Sequence, residues 1–293
     1  MMSIESRIEK NRCLKGLSTF GIGGKARYFI SIRTVEELQQ IAQFIRKEKL
    51  PFWVVGRGSN SLFDDRGVDG LVIVNKINFI HFEAPMVDVG AGVSLSLLAA
   101  TMVKRGWGGL EFGVGIPGSV GGAIYMNAGA HGCEIKDQLA SVTYVDLMGG
   151  VSQKERDALI FSYRSSPFQE MQGFIASGRF VLVKRGGEGE HKPLEMLAYR
   201  MRTQPYNEKS VGCVFRNFPD ISAGALIDQC NLKGAKIGGA EVSVKHANFI
   251  VNKGGATAHD VLSLIMYIKG RVKGQTGREL KTEVCLVPYH PQV

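Results

Sequence analysis

Between Thr34 and Glu48 the apolar residues Val35, Leu38, Ile41, Ala42 and Ile45 recur three and four apart, which is one face of a helix. Thr34 followed by Glu37 forms a capping box at its start. A second helical pattern runs from Ser94 to Arg105 and is closed by Gly106. Short apolar runs at Ala26–Ile32, Phe52–Val55, Leu71–Val74, Val87–Val89, Ser141–Leu147 and Phe180–Lys184 read as strands. The strand–helix alternation of the first 75 residues predicts a βαβ unit. After the polar, glycine-rich stretch Arg185–Pro193 the pattern changes. Helices are predicted at Leu194–Met201, Ala223–Cys230 and Ala258–Lys273, with strands at Cys213–Phe215, Asn248–Val251 and Glu283–Val287. The chain is therefore expected to be α+β. Residues 1–188 form a larger domain in two parts (1–75 and 76–188), and residues 189–293 a smaller α+β domain.

Composition narrows the function classes. With 293 residues, 44% hydrophobic and 22% charged, the chain is long enough for several packed cores and is neither disordered nor a coiled coil. Its 37 glycines follow no Gly-X-Y period, so they are expected in tight turns or where backbone lies against a ligand. The net charge of +9 favours anionic partners such as phosphorylated small molecules. The cations are scattered and not interleaved with aromatics, which argues against nucleic acid. No apolar stretch reaches the roughly 18 residues of a spanning helix. Met1–Lys15 lacks the apolar core of a signal peptide. Cys13, Cys133, Cys213, Cys230 and Cys285 form no paired motif, and His246 has no companion at ligand spacing. The expectation is a cytoplasmic protein with no disulfide framework, no metal site and no membrane contact.

Two loops carry the candidate chemistry. Gly56, Arg57, Gly58, Ser59, Asn60 and Ser61 directly follow an apolar strand. Their amides, hydroxyls and cation suit an anion, although a plain tight turn accounts for them equally well. The second loop comprises Gly113, Gly115, Ile116, Pro117, Gly118, Ser119, Gly121, Gly122 and Ala123, followed by Asn127 and Gly129. Gly113, Gly115 and Gly118 match GxGxxG, but Pro117 interrupts the fingerprint, no apolar strand runs straight into it, and Gly121 and Gly122 weaken the helix that should follow. The density of small residues still favours a backbone wall along a dinucleotide over a purely structural loop.

GRGSNSLF (56–63) together with GLEFGVGIPGSVGGAIYMNAGA (109–130) resembles the UDP-N-acetylenolpyruvoylglucosamine reductases. The likeness covers nearly the whole chain. It includes Leu17–Phe20, the FSYRSSPF segment (161–168), Gly212–Asn217, the stretch Ala223–Asn252, and Glu283. The short interval between Cys213 and Ala223 is similar to the compact subclass that lacks an extra tyrosine-bearing loop. The resemblance implies a two-subdomain FAD-binding fold of the vanillyl-alcohol oxidase/p-cresol methylhydroxylase type, with a C-terminal substrate-binding domain. It implies NADPH-dependent reduction of the enolpyruvyl ether of a UDP-linked amino sugar to UDP-N-acetylmuramate, for peptidoglycan precursor synthesis, by a monomer. Both glycine loops would contact FAD.

By the same resemblance Arg164 pairs with the substrate carboxylate, for which a planar guanidinium is suited. Glu283 stabilises the enolate as a hydrogen-bond donor, which requires a raised pKa of the kind a buried site provides. Cys213 stands at a proton-donor position where many members have serine; a thiol can also give up a proton. Tyr163, Asn217 and Asn231 match substrate-contacting positions, with Asn231 replacing glutamine or glycine. Lys233 and Lys236 face either the diphosphate or water, and Cys285 replaces an arginine. Taken singly, Arg164 reads as a surface ion pair, Glu283 as a strand-end charge and Cys213 as a small buried apolar residue. Two other functions fit the loops: an FAD-dependent alcohol or hydroxy-acid oxidase, and a nucleotide-binding module without catalysis.

Overall fold

The computed structural model describes residues 4–186 and 192–288. Contacts divide the chain into two units. One is built from Met1–Lys10, Tyr28–Arg57 and Gly70–Ala198, and the other from Asn11–Arg27, Gly58–Asp69 and Tyr199–Val293. The expected cut at 188/189 lies outside the described residues. Instead of one cut, the contact pattern interleaves the units: two early segments belong with the C-terminal residues.

In the first unit, helix α1 (Val35–Glu48) begins as its pattern predicts. Thr34 is the N-cap and its hydroxyl accepts the Glu37 N–H at 3.2 Å. The reciprocal arm of the box differs: the Glu37 carboxylate accepts from the Arg33 N–H at 2.6 Å and is also bonded by Arg7. Leu38, Ile41, Ala42 and Ile45 are buried with Ile30, Ile32, Leu71 and Ile73 in a core beneath a sheet ordered Glu9–Cys13, Lys25–Ile32, Val68–Asn75, Phe52–Val55. Phe52–Val55 runs parallel to Leu71–Val74.

A second core of the same unit lies against a five-stranded sheet. Its order is Val151–Glu155, Leu139–Asp146, Gly173–Val181, Met86–Gly90, Ile80–Glu83. Helix α2 (Leu95–Lys104) is capped by the Ser94 hydroxyl and buries Leu95, Leu98, Ala99 and Met102 in this core. The short helix α3 (Val120–Tyr125) adds Val120, Ala123 and Ile124. Helix α4 (Lys192–Thr203) closes this stretch of chain.

The second unit has its own core, gathered from Phe20, Ile22 and Leu62 of the early segments and from helices α5 (Ala223–Gln229) and α6 (Ala258–Thr276). Its strands are short: Lys236–Ile237, Ala240–Val242 and Ile250–Asn252 form one sheet, and Ser61–Phe63 pairs in parallel with Cys285–Val287. Asp65 caps α6 from outside, its carboxylate accepting the Ala258 and His259 N–H groups at 2.9 and 3.0 Å. An anionic group there is favoured by both the unsatisfied amides and the helix dipole. No described helix is long and apolar enough to cross a membrane.

Gly58 shows how tightly the early segments are woven into the second unit. Its φ is +65°, and a methyl group there would come 1.6 Å from the Leu17 carbonyl oxygen. Gly274, on α6, has open space around it. Gly58→Ala is expected to lower the unfolding free energy by about 2–4 kcal/mol. Gly274→Ala should raise it by roughly 0.5–1 kcal/mol. Urea denaturation of both variants checks the pair.

Candidate functional site

In the first unit the start of the first glycine-rich loop, Gly56, lies against the second loop. Gly56 stands against Ser119, so closely that a methyl group on Gly56 would lie 2.0 Å from the serine oxygen. Arg57 beside it is exposed. The second loop is fixed by bonds of its main chain, both within itself and to neighbouring segments. Gly113 closes a 3₁₀ turn (Glu111–Gly113), the Ile116 N–H donates to its carbonyl at 3.0 Å, and Pro117 leads on to Gly118. The Gly118 carbonyl accepts from Leu95 N–H at 3.1 Å, while the Val120 and Gly121 N–H groups donate to Val93 and Ala91 at 2.8 and 2.9 Å. Ser96 Oγ accepts the Gly115 N–H at 2.8 Å. Ser119 caps α3, which contains Gly121, Gly122 and Ala123, by accepting the Gly122 N–H at 3.2 Å. Neither 56–61 nor 113–123 contains a carboxylate. Small side chains, main-chain amides, hydroxyls and one cation are a donor set that fits the diphosphate of FAD.

Asn127, at the end of the second loop, is fully buried. Its side-chain amide donates to Glu134 Oε2 at 3.0 Å and to the Ser162 carbonyl at 2.9 Å, and its oxygen accepts the Lys136 N–H at 3.2 Å. Ser162 opens a tight turn closed by reciprocal backbone bonds with Ser165, and Arg164 sits in that turn at φ +56°. The Arg164 guanidinium donates to the Gly129 carbonyl at 3.0 Å and lies 4.9 Å from the Tyr163 ring centroid. The structure thus brings Asn127, Gly129, Tyr163 and Arg164 into one cluster. A planar cation held this way has a fixed orientation, and its geometry is of the kind suited to a carboxylate.

The second unit assembles the other half of the expected set. Thr19 N–H donates to the Gly58 carbonyl at 3.1 Å, and the Ser18 hydroxyl to the Ser61 carbonyl at 2.7 Å, which pins the stretch that includes Ser59. Asn60 accepts the Cys285 N–H at its carbonyl (2.9 Å) and donates from its side chain to the Glu283 carbonyl (3.1 Å). The Glu283 N–H in turn donates to the Val214 carbonyl at 2.7 Å, so Cys213 and Glu283 lie on adjoining segments. The expected strand over Cys213–Phe215 makes only isolated bridges, Cys213 to Phe249 and Phe215 to Thr282. Its place in the unit is fixed by Asn248, which is 2% exposed. The Asn248 carbonyl accepts the Val214 N–H at 2.8 Å, while its side chain accepts the Phe215 N–H at 2.9 Å and donates to the Phe215 carbonyl at 2.8 Å.

The remaining candidates are spread over this unit. Asn217 is exposed, and its side-chain oxygen accepts the Ala223 N–H at 3.0 Å at the start of α5. Asn231 is exposed in the left-handed region just beyond α5, a conformation that asparagine tolerates well. Lys233 pairs with Asp228 at 2.7 Å and Lys236 with Glu241 at 2.9 Å, so each is held by a carboxylate of this chain. His246 accepts the Asn248 N–H at Nδ1 (3.3 Å) and packs edge-on to Phe249, and burial pulls its pKa down. Burial, reinforced by the Glu283 charge, pushes the Cys285 thiol up to about 11 against a partial offset from Arg216. Sequence reasoning assigned no role to Ser18, Thr19 or Asn248. They act through polar contacts to distant backbone, which hydrophobic periodicity does not register.

Two family models match. The FAD binding domain covers residues 26–153, and the UDP-N-acetylenolpyruvoylglucosamine reductase C-terminal domain covers residues 204–287. A UDP-N-acetylenolpyruvoylglucosamine reductase of Protochlamydia amoebophila is 50% identical over 289 residues, 98% of this chain and 96% of that protein. That of Chlamydia muridarum is 43% identical over 292 residues, 99% of this chain and 97% of the other. The crystal structure of the Thermus caldophilus UDP-N-acetylenolpyruvylglucosamine reductase is 37% identical and superposes with a TM-score of 0.79, covering 96% of this chain and 98% of that one.

Asn127→Ala is expected to cost about 2–3 kcal/mol, because it removes three hydrogen bonds made by a fully buried side chain. It should also accelerate hydrogen exchange at the Ser165 amide, which closes the Arg164 turn; both effects are read by denaturation and exchange mass spectrometry. The raised Cys285 pKa favours the neutral thiol in the folded state. Its stabilisation is therefore present below pH 9 and is lost as pH rises toward about 11. Wild type should lose, relative to Cys285→Ala, on the order of 2 kcal/mol across that window, measured as the divergence of their urea midpoints.

Proposed function

The chain belongs to the UDP-N-acetylenolpyruvoylglucosamine reductase family, and on that premise we propose that it reduces the enolpyruvyl ether of a UDP-linked N-acetylglucosamine to UDP-N-acetylmuramate at the expense of NADPH. The reading places it in peptidoglycan precursor synthesis, as a monomer in the cytoplasm. The observation that carries the site assignment is the pinning of Cys213 and Glu283 on adjoining segments through the Val214 carbonyl, with Asn60 bonded to the Glu283 backbone. An acid–base pair is useful only if its members are held in fixed register, and buried main-chain bonds provide that.

Gly56 to Ser61, Gly113 to Ala123, Asn127 and Gly129 are the residues that would hold FAD. When bound, FAD supplies the hydride for the enolpyruvyl β-carbon, having received it from NADPH. Arg164 binds the substrate carboxylate and neutralises charge as it develops there. Glu283, protonated, donates a hydrogen bond to the enolate oxygen. Cys213 Sγ gives its proton to the α-carbon and becomes a thiolate, which regains a proton from solvent before the next turnover. Tyr163, packed on the Arg164 guanidinium, keeps that cation from swinging away from the carboxylate, and Asn217 and Asn231 contact the nucleotide sugar. A basic protein accelerates the approach of two multiply charged anionic substrates, an effect that salt screens.

Anaerobic stopped-flow absorbance separates the half-reactions. Cys213→Ala is expected to leave flavin bleaching by NADPH within about twofold of wild type, while recovery of the oxidised spectrum on adding the enolpyruvyl nucleotide slows by about 10²–10⁴-fold. Equal slowing of both phases removes the proton-donor assignment. Failure of the nucleotide to reoxidise the reduced wild-type protein removes the whole reading.

A further inference from the structure

The C-terminal half of α6 carries Lys269 and Lys273 one turn apart on the same side of the helix. Like charges at that spacing repel and weaken a helix unless something neutralises them. Facing them are Arg216, Glu279, Lys281 and Thr282, and together these residues line a cavity of about 600 Å³ in the second unit. Four cations there surround one carboxylate. Glu279 is ion-paired with Lys273 and is held below the usual carboxylate range by that lysine first, with Lys269 and Lys281 adding to the effect. One carboxylate therefore already responds to three lysines, and a positive excess is left in a concave, solvent-open space that favours an anion.

Arg216 supplies the directional element. Its backbone N–H donates to the Lys281 carbonyl at 2.9 Å, which fixes the root of the side chain on the cavity wall. Its Nε is buried and has no hydrogen-bond partner among the described residues. The planar fork of arginine beside flexible ammonium groups is the donor combination suited to phosphoryl oxygens. Gly270 keeps the wall between the two lysines low: nothing stands within 4 Å of where its Cβ would be.

We propose that the cavity lined by Arg216, Lys269, Lys273 and Lys281 is a binding site for a phosphate or diphosphate group. It stands independently of the reaction proposed above, and neither Lys269 nor Lys273 has a role in that chemistry. The phosphoryl group can arrive as a free inorganic ion or carried on a nucleotide.

The test is calorimetric titration of the FAD-loaded protein with inorganic diphosphate at low salt. It compares wild type, Lys269→Met/Lys273→Met, and a control of equal charge loss, Lys104→Met/Arg271→Met. Wild type is expected to show one saturable event attributable to the cavity. That event should weaken at least tenfold in Lys269→Met/Lys273→Met and less than twofold in the control. Flavin reduction by NADPH should be unchanged in all three. A parallel titration with UDP identifies the source. Weakening by the same factor in Lys269→Met/Lys273→Met makes the ligand nucleotide-borne, and an unchanged UDP isotherm beside a weakened diphosphate isotherm makes it the inorganic ion; both results support the site. The proposal is overturned if wild type shows no saturable diphosphate binding, if Lys269→Met/Lys273→Met binds as wild type does, or if both double variants weaken alike, which would reduce the effect to net charge.

Discussion

The buried carboxamide of Asn127 is the constraint around which the first unit's chemistry is arranged. One of its hydrogen bonds joins the end of the glycine loop to the turn that carries Arg164, and two more tie it to Glu134 and Lys136. A carboxamide mimics a peptide group, offering one acceptor and two donors in a plane, so it can act as a peptide link between segments far apart in sequence. Asn248 does the same in the second unit, bracketing Phe215 where a regular strand ladder is missing. In both places a polar side chain does the positioning that secondary structure does elsewhere. Each is buried, so loss of a partner is costly and the geometry is correspondingly rigid.

This division of labour suits the reaction assigned to the chain. Loops proposed to hold the cofactor need backbone that can approach a large planar ligand, which excludes bulky side chains and with them most ordinary packing. The second loop is held instead by main-chain bonds to Ala91, Val93 and Leu95, and the first by bonds from Thr19 and Cys285. The groups proposed to handle charge and protons, Arg164, Cys213 and Glu283, are set on short irregular segments pinned by a few hydrogen bonds. A strand would have locked their side chains into strict alternation, whereas turns and isolated bridges allow each to be aimed separately.

What could be read from the sequence follows the same physics. Helices α1, α2 and α6 announce themselves because their caps and apolar stripes are local, and their observed bounds differ from the expected ones by a few residues. The strand over Leu71–Val74 was legible as a buried run and extends to Val68–Asn75. The Cys213–Phe215 segment looks like a strand in sequence and fails to become one, because its partners are an asparagine side chain and Thr282 rather than a ladder. The glycine loops were conspicuous by composition. The contact of Gly56 with Ser119 was not, since the two lie 63 positions apart by number and nothing local couples them. The assignment of residues 11–27 and 58–69 to the C-terminal unit was likewise invisible: short-range patterns carry no record of which core a segment joins.

That last arrangement has a consequence for biosynthesis. A unit whose core draws on Phe20, Ile22 and Leu62 as well as on Val272 and Val284 cannot complete itself until almost the entire polypeptide has left the ribosome. Its earliest apolar segments must wait, exposed, while some two hundred further residues are translated, at roughly 5–20 residues per second. Loop closure over such separations is slow as well as late. Nascent molecules should therefore be a natural clientele for chaperones, and truncation by even the final helix should leave the amino-terminal segments without a core to join.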